Sequence, residues 1–427
     1  MKIRKLLLSV IIVLLAIGGA ISCKRHTSKK LQEKEESQII YRICDSCQDV
    51  FAGEDPTCPE CGQEQCPEVL EEMNRLLTGL WDYAESMRVQ DRPYGYFRWS
   101  RSAYDEYSTM ASYMALNGYN LLSRLGYPPP LSQNQLEEWR ETAESWYNPE
   151  TGLIEDSLPL KRLGISGSEY ESIFLLYTQR WLTILRTAGV PGDFVVPKNL
   201  IQKYDVFADV DQARAWLDSM KNVPNPWGWG SHAARNLSRH QKILADQGRE
   251  DGVLDFVHQW IDENQNPETG LWGPPETPLH DAVAGHFKIV KGMYLIYGWP
   301  IHYIERTIDS ALRLQDSTGS FGPGPCENFD ALYSLYVLKR ETDYRSDDID
   351  RAAALNALEV LRYWHEDESG FSFNRDSALL TVGGWPQLMP EGINEADIYS
   401  MAHWPMAVVY MRAILLGEDP EPKPDAR

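Results

Sequence analysis

The chain has 427 residues, 43% hydrophobic and 24% charged, the balance of a globular protein with one large core and room for a small module beside it. Its net charge of −21 argues against nucleic acid as a partner, because phosphate recognition needs Lys and Arg gathered on one face. Fourteen Trp and 22 Tyr exceed what a helical core consumes, so some are expected to line a cavity.

Lys2, Arg4 and Lys5 precede an apolar run from Leu6 to Ile21, which leads through Ser22 to Cys23. The arrangement resembles a bacterial lipoprotein signal, which is cut before the cysteine that then carries the lipid. Ala20 stands where that family usually has Leu. The run is shorter than the ~20 residues that comfortably span a bilayer, and an uncleaved transmembrane anchor is the alternative. Residues 1–23 are therefore expected to tether the protein to a membrane, on its extracytoplasmic side, with 24–40 as a flexible polar linker.

Cys44 and Cys47 form one Cys-x-x-Cys pair, and Cys58 and Cys61 form a second. Each pair sets two thiolates on one tight knuckle, and two facing knuckles complete a tetrahedral shell for Zn²⁺. Segment 41–66 is expected to be a small zinc ribbon with Tyr41 and Phe51 as its minimal core. With four protein ligands the zinc would be structural. Two disulfides are the alternative that an oxidising compartment would favour. Cys66 receives no role.

From residue 67 onward the apolar spacing is helical. Val69, Leu70, Met73, Leu76, Leu77, Leu80, Trp81 and Ala84 follow the i, i+3, i+4, i+7 rule. Continued along the chain, the pattern gives helices near 67–88, 104–125, 133–146, 168–188, 209–221, 231–247, 251–264, 281–296, 300–315, 328–340, 347–365 and 395–416. No strand pattern interrupts them. The loop between the two helices of each pair carries Gly and an aromatic residue: Gly95 with Phe97, Gly228 with Trp229, Gly270 with Trp272, Gly319 with Phe321, Gly370 with Phe371. In the second pair Gly152 precedes Leu153 instead. Gly ends the first helix and the side chain after it plugs the gap to the next pair. Six such units at a period of roughly 50 residues make a repeat architecture that can close into a ring.

The segment Leu314 to Gly322 resembles the Gln-and-Trp repeat of terpenoid cyclases and protein prenyltransferases, and Asn264 to Gly273 is a looser copy. The resemblance implies an all-α fold, an (α/α)6 toroid over 67–418 with a short disordered tail at 419–427, and a central cavity lined by inner-helix N-termini. Glycoside hydrolases and polysaccharide lyases use the same ring, so the fold does not select a reaction.

If the second helix of each pair is inner, its first turns bring Asp105, Tyr107, Glu169, Glu171, His232, Asp281, His286, Cys326, Glu327, Asp330, Asp397 and His403 to one end of the ring. Capping accounts for acids at helix starts, but not for His232, His286 or His403. Asp281, His286, Asp330 and His403 are the expected catalytic residues. Protein prenyltransferases hold catalytic zinc with an Asp and a Cys opening one inner helix and a His from the next, which here implies a second zinc on Cys326, Asp330 (or Glu327) and His403, with Cys preceding Asp. Arg345 to Asp350 superficially resembles the acidic motif of squalene cyclases, but falls at the ring's other end and fits a helix start better.

Three functions remain open from the sequence. One is an enzyme resembling the prenyltransferase and cyclase superfamily, acting on an apolar, isoprenoid-like substrate in an aromatic, acidic cavity. The second is an extracytoplasmic carbohydrate-active enzyme, a hydrolase or lyase, with a glycan in the same cavity. The third is a non-catalytic binding scaffold.

Overall fold

The computed structural model describes residues 39–420 apart from 128–129, 165–169, 204 and 383–384. The signal-like run, Cys23, Glu169 and the end of the expected tail therefore lie outside the described residues. Among the described residues no helix is long and apolar enough to cross a membrane.

A hairpin of β1 (Tyr41–Cys44) and β2 (Asp49–Ala52) comes first. It is followed by α1 (Val69–Ser86), α2 (Thr109–Arg124), α3 (Gln133–Ser145), the strands β3 (Tyr147–Asn148) and β4 (Leu153–Ile154), α4 (Ser157–Leu163), α5 (Glu171–Thr187), α6 (Lys198–Lys203), α7 (Val210–Met220), α8 (Pro226–Gln247) and α9 (Val253–Glu263). Helix α10 runs over Leu279–Ile289, loosens into a π-helical turn at Val290–Tyr294 and resumes over Leu295–Tyr297. Then come α11 (Ile304–Leu314), α12 (Pro325–Lys339), α13 (Ser346–Leu361), β5 (Trp364–His365), β6 (Gly370–Phe371) and α14 (Ile398–Leu416).

Paired in order, these helices make six hairpins: α1/α2, α3/α5, α7/α8, α9/α10, α11/α12 and α13/α14. The second member of each stands inside, since α5 packs on α2, α2 on α14, α14 on α12, α12 on α10 and α10 on α8. The fold is an all-α (α/α)6 toroid. Outer helices are amphipathic, as in α11, which buries Thr307, Ile308, Ser310 and Ala311 and turns Glu305 to solvent. Helix α14 is buried almost all round, from Ile398 to Ile414, because it meets neighbours on every side.

The boundaries differ from the sequence expectation where capping overrides periodicity. Helix α8 starts at Pro226 rather than at 231, because the Asn225 side chain accepts from Gly228 N at 2.7 Å and Pro226 needs no N–H partner. Trp227 and Trp229 are therefore helical. Helix α2 starts late, at Thr109, where Ser108 Oγ accepts from Ala111 N. The two-residue strands β3 with β4 and β5 with β6 flank the glycine turns and are too short to leave a periodic signal.

Four of the six hairpins lock to the next through a glycine, at Gly95, Gly270, Gly319 and Gly370. Gly152 meets Pro197 instead, and Gly228 meets the Asn225 cap of its own helix. A Cβ on Gly270 would lie 2.0 Å from Thr307 Oγ1 of α11, and one on Gly319 would lie 2.2 Å from the Leu355 carbonyl of α13. In both cases the next outer helix donates a side-chain hydrogen bond to the turn: Thr307 Oγ1 to Gly270 O at 3.1 Å, Asn356 Nδ2 to Gly319 O at 2.8 Å. Thr142 of α3 does the same to Tyr94 O beside Gly95. The repeat glutamines seal the turns from within, Gln265 Nε2 donating to Gly270 O and Gln315 Nε2 to both Gly319 O and Ala352 O. The sixth turn closes the ring on the first hairpin, with Gly370 against the Tyr83 ring of α1. Trp99 Nε1 donates to Leu379 O at 2.6 Å across the same seam.

The ribbon is welded to the outside of the ring. Strand β1 packs on α1 and β2 on α13, and Ile43 and Val50 join the main core. Arg42 clamps the joint, donating to Gly53 O, Glu54 O and Cys66 O and pairing with Glu68 at 3.1 Å.

The Gly319→Ala variant tests this locking. Gly319 has φ +86°, and the methyl group would press on a backbone carbonyl, so a loss of about 2–4 kcal/mol is expected in chemical denaturation. A change below about 0.5 kcal/mol, the size of an ordinary surface substitution, would contradict it.

Candidate active site in the ring

The mouth of the ring lies at the N-terminal ends of the inner helices. Asp281 is in the first turn of α10 and Glu327 in the first turn of α12. His280 Nε2 stands 3.6 Å from Asp281 Oδ2. Burial holds the Glu327 carboxyl above its usual range and nearby Asp281 adds to this, while its own backbone N–H and His280 oppose it. Glu327 Oε2 has no hydrogen-bond partner among the described residues. Trp227, in the first turn of α8, is exposed, with its ring centroid 5.1 Å from Lys288 Nζ.

Deeper in, the Tyr399 ring stacks on His403 at 3.9 Å, and Cys326 Sγ lies 3.7 Å from the Tyr399 hydroxyl. His403 Nδ1 is 2.8 Å from Tyr399 O. A carbonyl only accepts, so Nδ1 carries the proton and Nε2 is left with its lone pair. Burial lowers the His403 pKa to about 4; the bond to Tyr399 O opposes this, and Lys288 and Arg180 reinforce it. The imidazole is neutral over the physiological range and is placed to take a proton. Phe287, Phe329, Tyr333 and Tyr410 pack ring to ring as an aromatic floor, with Phe287 and Phe329 4.8 Å apart and Tyr333 and Tyr410 also 4.8 Å apart.

Asp330 is 1% exposed and its Oδ2 lacks a partner among the described residues. Burial raises its pKa, against the pull of Lys288. Lys288 is lowered by burial in turn, with Asp330 acting against the shift. His286 is fully buried in the wall, its Nδ1 3.0 Å from Ser334 Oγ and its ring against Trp272, which keeps it away from the cavity. Burial takes its pKa down to about 3.

Cys326, Asp330 and His403 do not assemble into a metal site. Groups of three or more ligands close enough to share an ion are, among the described residues, only Cys44, Cys47, Cys58 and Cys61, and His365 with Asp367 and Glu368. The expected second zinc has no ligand set, because the ligand atoms of Cys326, Asp330 and His403 do not all come within 4.8 Å of one another.

Most other residues gathered from the inner-helix starts have structural partners. Asp105 pairs with Arg162 at 3.0 Å, Glu171 with Lys203 at 2.6 Å, and Tyr107 packs edge-on to Tyr96. His232 packs on Trp216, toward the outer helix α7. Asp397 caps α14 and accepts from Ser400 N, Phe373 N and Leu379 N. Arg345 to Asp350 opens α13, with Arg345 bonded to Asp348.

The expected acidic cavity is corrected by what lines its wall. Arg180 of α5, Arg235 of α8, and Lys288 and Lys291 of α10 lie near enough to influence one another or shared neighbours. Lys291 Nζ stands 4.7 Å over the Tyr333 ring. The carboxylates occupy the mouth, and the bases lie deeper, beyond the first helical turn. Sequence reasoning concentrated on the first turns and so missed them. The available signal was His232, Arg235 and Arg239 at i, i+3 and i+7 on an inner helix, a charged row where a buried helix should be apolar.

In the ribbon, Cys44 Sγ lies 3.6 Å from Cys61 Sγ and Cys47 Sγ 3.7 Å from Cys58 Sγ. A tetrahedral thiolate shell with ~2.3 Å metal–sulfur bonds has edges of about 3.8 Å, whereas a disulfide needs ~2.05 Å. The four sulfurs therefore fit one metal ion. Gln63 holds the knuckles, its Oε1 accepting from Ser46 N at 2.9 Å. Cys66 packs beside them, 1% exposed, with Sγ directed at Gln63 O.

No known protein family matches this chain in sequence, and no curated protein does. Solved structures resemble it in fold. An inactive variant of an α-1,6-mannanase of Salegentibacter, in complex with α-1,6-mannotetrose, is 11% identical at a TM-score of 0.42, covering 80% of this chain and 99% of its own. A type II terpene cyclase of Scytonema, in complex with geranylgeranyl dihydroxybenzoate, is 12% identical at a TM-score of 0.41, covering 81% and 99%. A protein from Actinoplanes is 13% identical at 0.38, covering 79% and 99%.

Metal analysis of the purified chain is expected to return one tightly held ion, lost on the double change Cys44→Ser and Cys58→Ser. Retention of a stoichiometric ion by that variant would contradict the assignment to the ribbon.

Proposed function

We propose that this protein is a membrane-tethered, extracytoplasmic carbohydrate-active enzyme. A glycan enters the ring past Trp227, and His403 takes a proton from it or from a water molecule. The observation that carries this reading is the tautomer of His403, a neutral imidazole whose Nδ1 is bonded to Tyr399 O and whose Nε2 keeps its lone pair. Exposed Trp227 offers a flat face of the kind that stacks on sugar rings. Asp281 and Glu327 supply carboxyl groups at the mouth, and Lys288 is held in place by Asp330.

The cation wall weighs against the isoprenoid alternative. A carbocation intermediate needs aromatic faces and nearby negative charge, and Arg180, Arg235 and Lys288 would repel it. In the ribbon we assign the ion as structural zinc, the metal that four thiolates in a tetrahedron suit best.

The test is the release of new chain ends from a panel of polysaccharides. His403→Ala is expected to lower the rate by about 10²-fold or more while leaving the fold intact by circular dichroism. Because the active form of His403 is neutral, kcat/KM is expected to hold steady down to about pH 5 and to fall only as pH drops through about 4. An acid limb between pH 6 and 7, the ordinary histidine range, would contradict the assignment.

A further inference from the structure

A cleft of about 460 Å³ opens on the rim of the ring, between the turn of the fifth hairpin and the segment that follows β6 in the sixth. His280, Asp316, Gly322, Glu359, Asn374 and Arg375 line it. Its size falls within the range of small-molecule sites. The cleft adjoins the mouth. His280 stands 3.6 Å from Asp281 Oδ2, and a Cβ on Gly322 would lie 2.7 Å from Glu327 Cβ.

The polar groups of the cleft are fixed by the protein itself. Glu359 is 1% exposed, and its Oε2 accepts from Arg362 Nη1 and Arg375 Nη2, both at 3.0 Å. Asp316 Oδ1 accepts from Thr318 N at 2.8 Å and from Ser320 N at 3.1 Å, which sets the turn. Charge is balanced across the cleft, since Arg362 faces Asp316 and Arg375 faces both Glu359 and Asp316. Paired donors and acceptors of this kind suit hydroxyl groups, which both give and accept hydrogen bonds, better than they suit a ligand of net charge. Phe321 and Tyr363 add an apolar base, against which the C–H face of a sugar can pack.

The cleft also has a place in the order of the ring. Trp227 opens α8, Asp281 opens α10 and Glu327 opens α12, and the cleft follows between the fifth and sixth hairpins. A chain that stacks on Trp227 and reaches the cleft passes both mouth carboxyls on the way.

We propose that this cleft is a second glycan subsite, which grips a neutral sugar unit of the chain beyond the mouth, so that the enzyme selects longer oligosaccharides over short ones. The inference rests on the carbohydrate reading above and adds where the rest of the chain lies. Arg375 and Asn374 donate to the sugar hydroxyls, Asp316 accepts from them, and buried Glu359 holds Arg375 in position.

The test is calorimetric binding of neutral disaccharides and hexasaccharides of the cello-, malto- and manno-series to the full chain, with amide hydrogen exchange to locate them. In the series that binds, the hexasaccharide is expected to bind at least ~10-fold more tightly than the disaccharide. Arg375→Ala is expected to cost the hexasaccharide ~10-fold, the worth of a hydrogen bond to a charged group. On the unmodified protein the hexasaccharide is expected to slow exchange at 316–322 and 374–376, which keeps the test valid if the variant misfolds. A hexasaccharide that binds no better than the disaccharide, ignores Arg375→Ala or protects neither segment would overturn the subsite while leaving the carbohydrate reading intact. Binding of no sugar in any series would overturn both.

Discussion

The ring depends on one repeated contact, a glycine turn pressed against the outer helix of the next hairpin. At Gly270 and Gly319 the space between turn and helix is smaller than a methyl group, and a side chain from the next helix donates into the turn. The contact fixes both the spacing and the angle between neighbours, because any larger residue would push the outer helix away. Repeated around the chain, it returns the sixth turn to Tyr83 of the first hairpin. The rule acts at four of the six junctions, and at Gly152 and Gly228 other contacts take its place.

The same rule determines where chemistry can occur. Every turn lies at one end of the ring, so every inner helix presents its N-terminus there, and polar residues gather at that end for structural as well as functional reasons. Asp397 illustrates the structural use, with three backbone N–H groups bonded to one buried carboxyl. His403 illustrates the other, one turn further in, where a backbone carbonyl fixes the tautomer and burial, reinforced by neighbouring cations, keeps the ring neutral. Depth along the inner helix separates the two roles. The ribbon lies outside this division; tied by Arg42 to Glu68 at the start of α1 and packed through β2 on α13, it braces the seam where the last hairpin meets the first.

The architecture was legible in the sequence because it rests on short-range signals: a 3.6-residue apolar period and a glycine at each turn. The paired cysteines were legible for the same reason, since both knuckles are local. The start of α8 was not, because the cap at Asn225 and the proline after it outweigh two tryptophans and two glycines that look like loop. His286 was named as catalytic on its position near a helix start, yet it faces Trp272 and Ser334 in the wall, and a one-residue rotation about the helix axis is enough to make that difference. The cation wall was hidden by its distribution. Arg180, Arg235 and Lys288 come from three helices, and only the closure of the ring brings them together.

The account turns on His403, whose Nδ1 is bonded to the Tyr399 carbonyl and whose Nε2 keeps its lone pair. Nitrogen NMR of the labelled imidazole in the full chain tests it most directly. The account predicts a proton on Nδ1 and a bare Nε2 at neutral pH, with the second proton taken up only near pH 4. A proton on Nε2 at neutral pH, or a ring already charged there, would contradict it.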